Sequence, residues 1–199
     1  MAKTNTVVVF NPWEIITAGT MSAGALAVDI EDSFISTLQF EVAPLTALAF
    51  TGETEITVEY SGDETNWTEA ISLSVLLDND NAGTTLDGAF LVGEEEILLA
   101  DASSVNTIGG LLFIQENDPS IVASETVRVK SVSSDTITLA NEDGLIYYHG
   151  DDRPVYSNVQ QWTMDVPASV KHVRVLCNNT DDTYSVAFTA RILKTTSLT

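Results

Sequence analysis

Apolar and polar residues alternate along much of this chain, and the period of two predicts half-buried β-strands. The clearest run is Glu55-Ile56-Thr57-Val58-Glu59-Tyr60-Ser61. Ile56, Val58 and Tyr60 fall on one face, and the charged and hydroxylic residues fall on the other. A turn at Gly62-Asp63-Glu64-Thr65-Asn66 follows, and Trp67 opens the return strand. A hairpin with one wet face belongs to an antiparallel sheet. Similar alternation predicts strands at 36–42, 161–166, 172–177 and 184–193. The β-branched run Thr6-Val7-Val8-Val9-Phe10 predicts another, ending at Asn11-Pro12, and 25–30 predicts one after a glycine-containing turn. No stretch carries a helical stripe with caps.

The middle of the chain reads differently. Residues 78–90 are rich in Asp, Asn, Thr and Gly and predict a long loop. Strand signals return at 91–99, 110–114, 126–132 and 135–139, separated by tight polar turns. Short strands of this kind suggest a small barrel-like unit. The hairpin at 55–70 and the strands after 160 each have an apolar face that neither can bury alone, so the two are expected to pack together. The predicted fold is all-β: an antiparallel β-sandwich, jelly-roll or immunoglobulin-like, with an inserted small β-barrel-like module. The sandwich is assigned to 1–87 and 149–199, and the module to 88–148. A continuous sandwich with long loops is the alternative.

Charge adds a second level of organisation. The 199 residues include 29 Asp and Glu but 8 Lys and Arg, a formal net charge of -21. Residues 1–127 hold 21 of the acidic residues and one basic residue, Lys3. Phosphate contacts need Lys or Arg, so nucleic acid is not an expected partner, and anionic membrane surfaces are disfavoured for the same reason. A solvated acidic surface that keeps the protein soluble is one reading of this asymmetry. The other is an acidic solvent side and a near-neutral docking side. The docking residues would then be Arg128, Lys130, Arg153, Lys171, Arg174, Arg191 and Lys194. Life in high salt, or ordering by divalent cations, would also screen the repulsion.

Candidate chemistry is sparse. Cys177 is the only cysteine, which excludes an internal disulfide, and its strand setting predicts a buried thiol. His149 and His172 lack ligand spacing, and a structural or surface role is expected for each. Asp78-Asn79-Asp80-Asn81-Ala82-Gly83 resembles the start of a calcium loop, but the fifth position is Ala82 and the twelfth is Ala89. An ordinary polar loop is preferred there, with calcium at Asp78 and Asp80 as the alternative; no other cofactor is expected. Glu94-Glu95-Glu96 reads as a solvated strand edge that discourages aggregation. Trp13, Trp67 and Trp162 could stack on sugars only if at least two face solvent; strand settings favour core packing for Trp67 and Trp162. There is no Gly-rich phosphate loop, nucleophile elbow or His-Glu-x-x-His, so no enzyme activity is expected. The polar N-terminus lacks a secretory h-region, and no run of 18 apolar residues exists.

Three segments resemble structural proteins of tailed-bacteriophage virions. One is the hairpin from Ile56 to Trp67, whose strand ends in Tyr60-Ser61 before Asp63. The second is the ending Asp165-Val166-Pro167-Ala168-Ser169-Val170-Lys171-His172-Val173-Arg174-Val175. The third is Thr126-Val127-Arg128-Val129-Lys130-Ser131-Val132 with its return Asp135-Thr136-Ile137-Thr138-Leu139. Together they cover about half the chain, and the long acidic middle departs from the short versions. The resemblance implies a virion structural protein that assembles symmetrically, most simply a capsid decoration or cement protein. It would act as a homo-oligomer on the major capsid protein or another virion protein. Its place would be the virion, assembled in the host cytoplasm. A carbohydrate-binding or adhesion module of a tail or fibre, and another head–tail or tail component, are the alternatives. An acidic DNA mimic is weaker, because a sandwich spaces carboxylates poorly along a rod.

Overall fold

The computed structural model describes residues 3–22, 27–31, 33, 35–77, 82–103, 105, 108–116, 123–140 and 143–197. Fifteen strands are present among them: β1 (Lys3–Ile16), β2 (Thr20–Met21), β3 (Val28–Asp29), β4 (Ile35–Pro44), β5 (Thr54–Ser61), β6 (Trp67–Val75), β7 (Gly83–Thr85), β8 (Glu96–Leu98), β9 (Leu111–Ile114), β10 (Glu125–Ser133), β11 (Thr136–Leu139), β12 (Pro154–Tyr156), β13 (Gln160–Val166), β14 (His172–Asn179) and β15 (Val186–Ser197). The chain is all-β, as the alternation predicted.

The strands divide into two compact units, one of 1–42, 52–76 and 161–199, the other of 43–51 and 77–160. The first is a β-sandwich. One sheet has the order β1-β15-β4-β13, and the other has the order β2-β14-β5-β6, with β3 also pairing β14. Strand β14 shows how sequence makes the core. Val173, Val175 and Cys177 are buried while their neighbours are only partly covered. They pair across the ladder with Tyr60, Val58 and Ile56 of β5. Phe40, Phe188 and Ile192 close the core from the other sheet.

The second unit is a small barrel. Its sheet runs β7-β12-β9-β10-β11-β8. A bridge between Leu86 and Leu99 joins the two ends, with Asp87 N donating to Leu98 O and Ala100 N to Thr85 O. Closure of this kind removes sheet edges. One side chain in two points inward, and Leu86, Ile97, Leu99, Leu112, Ile114, Val127, Val129, Ile137, Leu139 and Val155 fill the interior.

Several boundaries differ from the sequence expectation for physical reasons. The barrel unit reaches 77 and 160, beyond the expected 88 and 148, because β7 and β12 complete the ring; Gly83-Thr84-Thr85 has too little apolar character to signal a strand. The strand expected at 91–99 shrinks to β8, because Leu91 to Gly93 turn back on themselves. β1 does not stop at Asn11-Pro12. It continues to Ile16, with register shifts at Asn11 against β15. Proline is tolerated there because β1 is the outer strand of its sheet, where no ladder hydrogen bond is lost.

Candidate functional site

On the barrel, two segments form an exposed apolar lip. Residues 90–94 and 145–149 run antiparallel. Phe90 and His149 exchange backbone hydrogen bonds at 2.9 and 3.0 Å, Gly93 N donates to Leu145 O at 2.8 Å, and Leu145 N donates to Glu94 O at 3.0 Å. Two glycines make the close approach feasible. Gly93 has φ +87°, and a Cβ on Gly144 (φ +66°) would sit 2.6 Å from the Gly93 and Glu94 backbone. The side chains carried outward are Leu91 (60% exposed), Val92 (63%), Ile146 (60%), Tyr147 (40%) and Tyr148 (55%). Single exposed apolar residues are ordinary; five on two paired segments are not. Beside the lip lies an open groove of about 560 Å³, lined by Phe90, Ile97 and Leu98, by Thr136 and Thr138, and by the carboxylates of Glu94, Glu95 and Glu96.

A buried charged network holds the lip from beneath. The Glu125 side chain is 4% exposed, and its carboxylate accepts from the backbone N–H groups of Ile146 and Tyr147, each at 3.0 Å. His149, fully buried, places Nε2 2.9 Å from Glu125 Oε1 and Nδ1 4.0 Å from Glu116 Oε2. Arg153 Nε lies 3.0 Å from the same Glu116 oxygen. Buried charges are tolerated when they are paired and hydrogen-bonded. Glu125 is both, whereas His149 Nδ1 and Arg153 Nε face Glu116 without a hydrogen bond of regular geometry. A carboxylate–histidine–carboxylate row could serve general acid–base chemistry only if a substrate reached it, and His149 is sealed from solvent. The chemistry available is therefore positional: the network fixes a backbone that points Ile146, Tyr147 and Tyr148 at solvent.

The seven cations expected on a docking side are scattered. Arg128, Lys130 and Arg153 belong to the barrel unit, and the other four to the sandwich. Arg174 lies on the outer side of β14, with Nε 2.5 Å from Glu59 Oε2 and its guanidinium 4.2 Å above the Trp67 ring. Arg191 lies on the outer side of β15, in the opposite sheet, 2.8 Å from Glu41 Oε1. That Glu41 oxygen is buried and also accepts from Gln39 at 2.7 Å and Gln161 at 2.6 Å. Lys171 Nζ pairs with Glu31 at 2.5 Å, and this hydrogen bond holds its pKa above the usual lysine value. Lys194 donates to the backbone carbonyl of Asp29. Intramolecular partners thus engage six of the seven, Arg128 among them. Arg128 and Lys130 stay exposed on β10, where Arg128 donates to Gly109 O at 2.7 Å.

The remaining candidates fall into place. Cys177 is buried, and burial pushes its thiol far above the ordinary range. The three indoles form no platform: Trp13 is buried, the Trp67 ring is covered by Arg174, and Trp162 stacks on buried Phe40 at 5.5 Å. His172 Nδ1 lies 3.1 Å from Glu64 Oε1 at a sandwich turn. Asp78 and Asp80 lie outside the described residues. Among the described residues no group of three or more His, Cys, Asp or Glu is arranged to hold a metal, and no helix is long and apolar enough to cross a membrane. Sequence reasoning missed the lip. Its signal was Leu91-Val92-Gly93 and Gly144-Leu145-Ile146-Tyr147-Tyr148-His149-Gly150, apolar runs bounded by glycine that fit neither a period of two nor a core strand.

No protein-family model matches the chain, and no curated protein matches it. Among solved structures it is similar to the PBSX exported protein XepA, at 8% identity over 95% of this chain and 86% of that one, with a TM-score of 0.27. It is also similar to the structure of the infectious bursal disease virus Gx strain and to the VP2 subviral particle of that virus. Each of these is 7% identical over 98% of this chain and 42% of the other, with a TM-score of 0.20. Likeness of this order carries no argument about fold or function.

Proposed function

We propose that the chain is a structural component of a virion, of the capsid decoration or cement kind, and that the lip is its docking surface on the particle. The anchored lip is the observation that carries this reading. Solvent-facing leucine, valine, isoleucine and tyrosine are costly to display, and a buried charge network beneath them makes sense if their position matters to a partner. Tyrosine adds contact area at low entropic cost and suits an interface that is partly wet. The acidic rim at Glu94 to Glu96 fits a partner face that is apolar at its centre and basic at its edge, and the major capsid protein is the partner proposed. The hairpins that resemble phage virion proteins support the same reading. The role is mechanical, tying neighbouring capsid subunits together.

The test is sedimentation of the protein with purified particles from its source. Tyr148→Glu with Val92→Glu should weaken particle binding at least tenfold while the circular-dichroism spectrum and melting temperature stay unchanged, because both sites are exposed. Unchanged binding by the double variant, or the absence of the wild-type protein from particles, overturns the proposal.

A further inference from the structure

We infer that two copies of this chain associate through β1, pairing edge to edge into a continuous sheet. Among the described residues, strand β1 is an outer strand of its sheet and pairs with β15 on one side. Alternate residues of an antiparallel edge strand direct N–H and C=O groups away from the neighbour, a ready template for another strand. The usual protections are thin here. β1 is 14 residues long, and its continuous register with β15 from Lys3 to Val9 has no bulge. Its outward side chains include Val7 and Val9, 59% and 54% exposed, and Leu193 of β15 stands directly opposite Val7 at 38%.

Charge selects the occupant. The chain carries 29 acidic residues, yet none precedes Glu14, so the segment from Lys3 to Trp13 is free of negative charge. Two molecules of net charge -21 repel one another over most of their surfaces. The acid-free β1 edge is where they can approach with least repulsion, and it offers an identical edge the hydrogen bonds and apolar contacts it lacks. An antiparallel pair about a two-fold axis satisfies both edges at once and extends a four-stranded sheet to eight. Pro12 and the bulges beyond Val9 limit the pairing to the first part of the strand. The lip fits a second copy poorly, because a two-fold contact there would bring the Glu94 to Glu96 rims together. The pairing is independent of whether the particle partner proposed above is correct.

Analytical ultracentrifugation of the purified chain tests it. The expected mass is about twice 21.4 kDa, and the dissociation constant should fall as NaCl is raised, because salt screens the like charge of the two copies. Val7→Glu with Val9→Glu should return the protein to monomer with an unchanged circular-dichroism spectrum, since both residues face solvent in the single copy. A wild-type monomer in high salt overturns the inference. So does a dimer that survives the double β1 substitution, or one abolished by Tyr148→Glu, which would put the interface on the lip.

Discussion

Glu125 does its work through what it accepts. Its buried carboxylate takes two backbone N–H groups of the lip and shares a hydrogen bond with His149 Nε2, so three groups lose their partner if it is removed. Breaking a buried pair on one side costs about 3–5 kcal/mol. Glu125→Ala should lower stability by about that much in urea unfolding, and amide exchange at Ile146 and Tyr147 should accelerate before the barrel strands do. Gly52 makes the same point through shape. A Cβ there would fall 2.5 Å from the backbone N of Asp181, whose carboxylate accepts from Gly52 N at 2.9 Å and from Tyr184 N at 2.7 Å. Gly52→Ala should therefore cost about 1–3 kcal/mol by overpacking, measured by thermal unfolding. Cys177, in the same unit, gives a chemical readout for the Gly52 variant. Its thiol should react with a disulfide reagent only on unfolding, and faster in Gly52→Ala than in wild type.

At the scale of elements, the β5–β6 turn is held by one carboxylate. Asp63 accepts from the backbone N–H of Asn66 at 2.8 Å and of Thr65 at 3.0 Å, and from the Asn66 side chain at 2.7 Å. These bonds to the charged form, the Asn66 backbone first, hold its pKa well below the ordinary value of 3.8. A depressed carboxylate contributes stability above its unfolded pKa and loses that contribution as pH falls through the folded value. The wild type should thus lose stability below about pH 4 in part through Asp63. In Asp63→Asn the decline over that range should be shallower, from a lower starting point, in melts between pH 2 and pH 6. This turn was legible in sequence, because Gly62-Asp63 and Trp67 flank strict alternation; so were β4, β5, β13, β14 and the β10–β11 hairpin. The passage of β1 through Pro12 was not legible, since it depends on β1 lying at a sheet edge. The barrel closure was not either, since the Leu86–Leu99 bridge joins ends that no local pattern relates. The lip fell between the two signals. Its residues are apolar enough to look like core, and only the packing of Glu125 and Gly144 beneath them turns them outward.

For the whole molecule, the excess of acidic over basic groups opposes compactness. Surface ion pairs such as Lys171–Glu31 are screened by water and offset little of it. Screening should therefore stabilise the fold: the Debye length falls from about 30 Å at 0.01 M salt to about 3 Å at 1 M. The melting temperature should rise with NaCl over that range, and a flat or falling curve would mean that the internal pairs of Arg174 and Arg191 outweigh the repulsion. The same titration separates the two proposed surfaces by sign. Association through the acid-free β1 edge joins like-charged molecules and should tighten with salt. Docking through the Glu94 to Glu96 rim onto a basic partner face joins opposite charges and should loosen, chiefly through slower association. A particle-binding curve that tightens with salt would argue for an acidic partner face and would leave the apolar lip, without its rim, as the source of affinity.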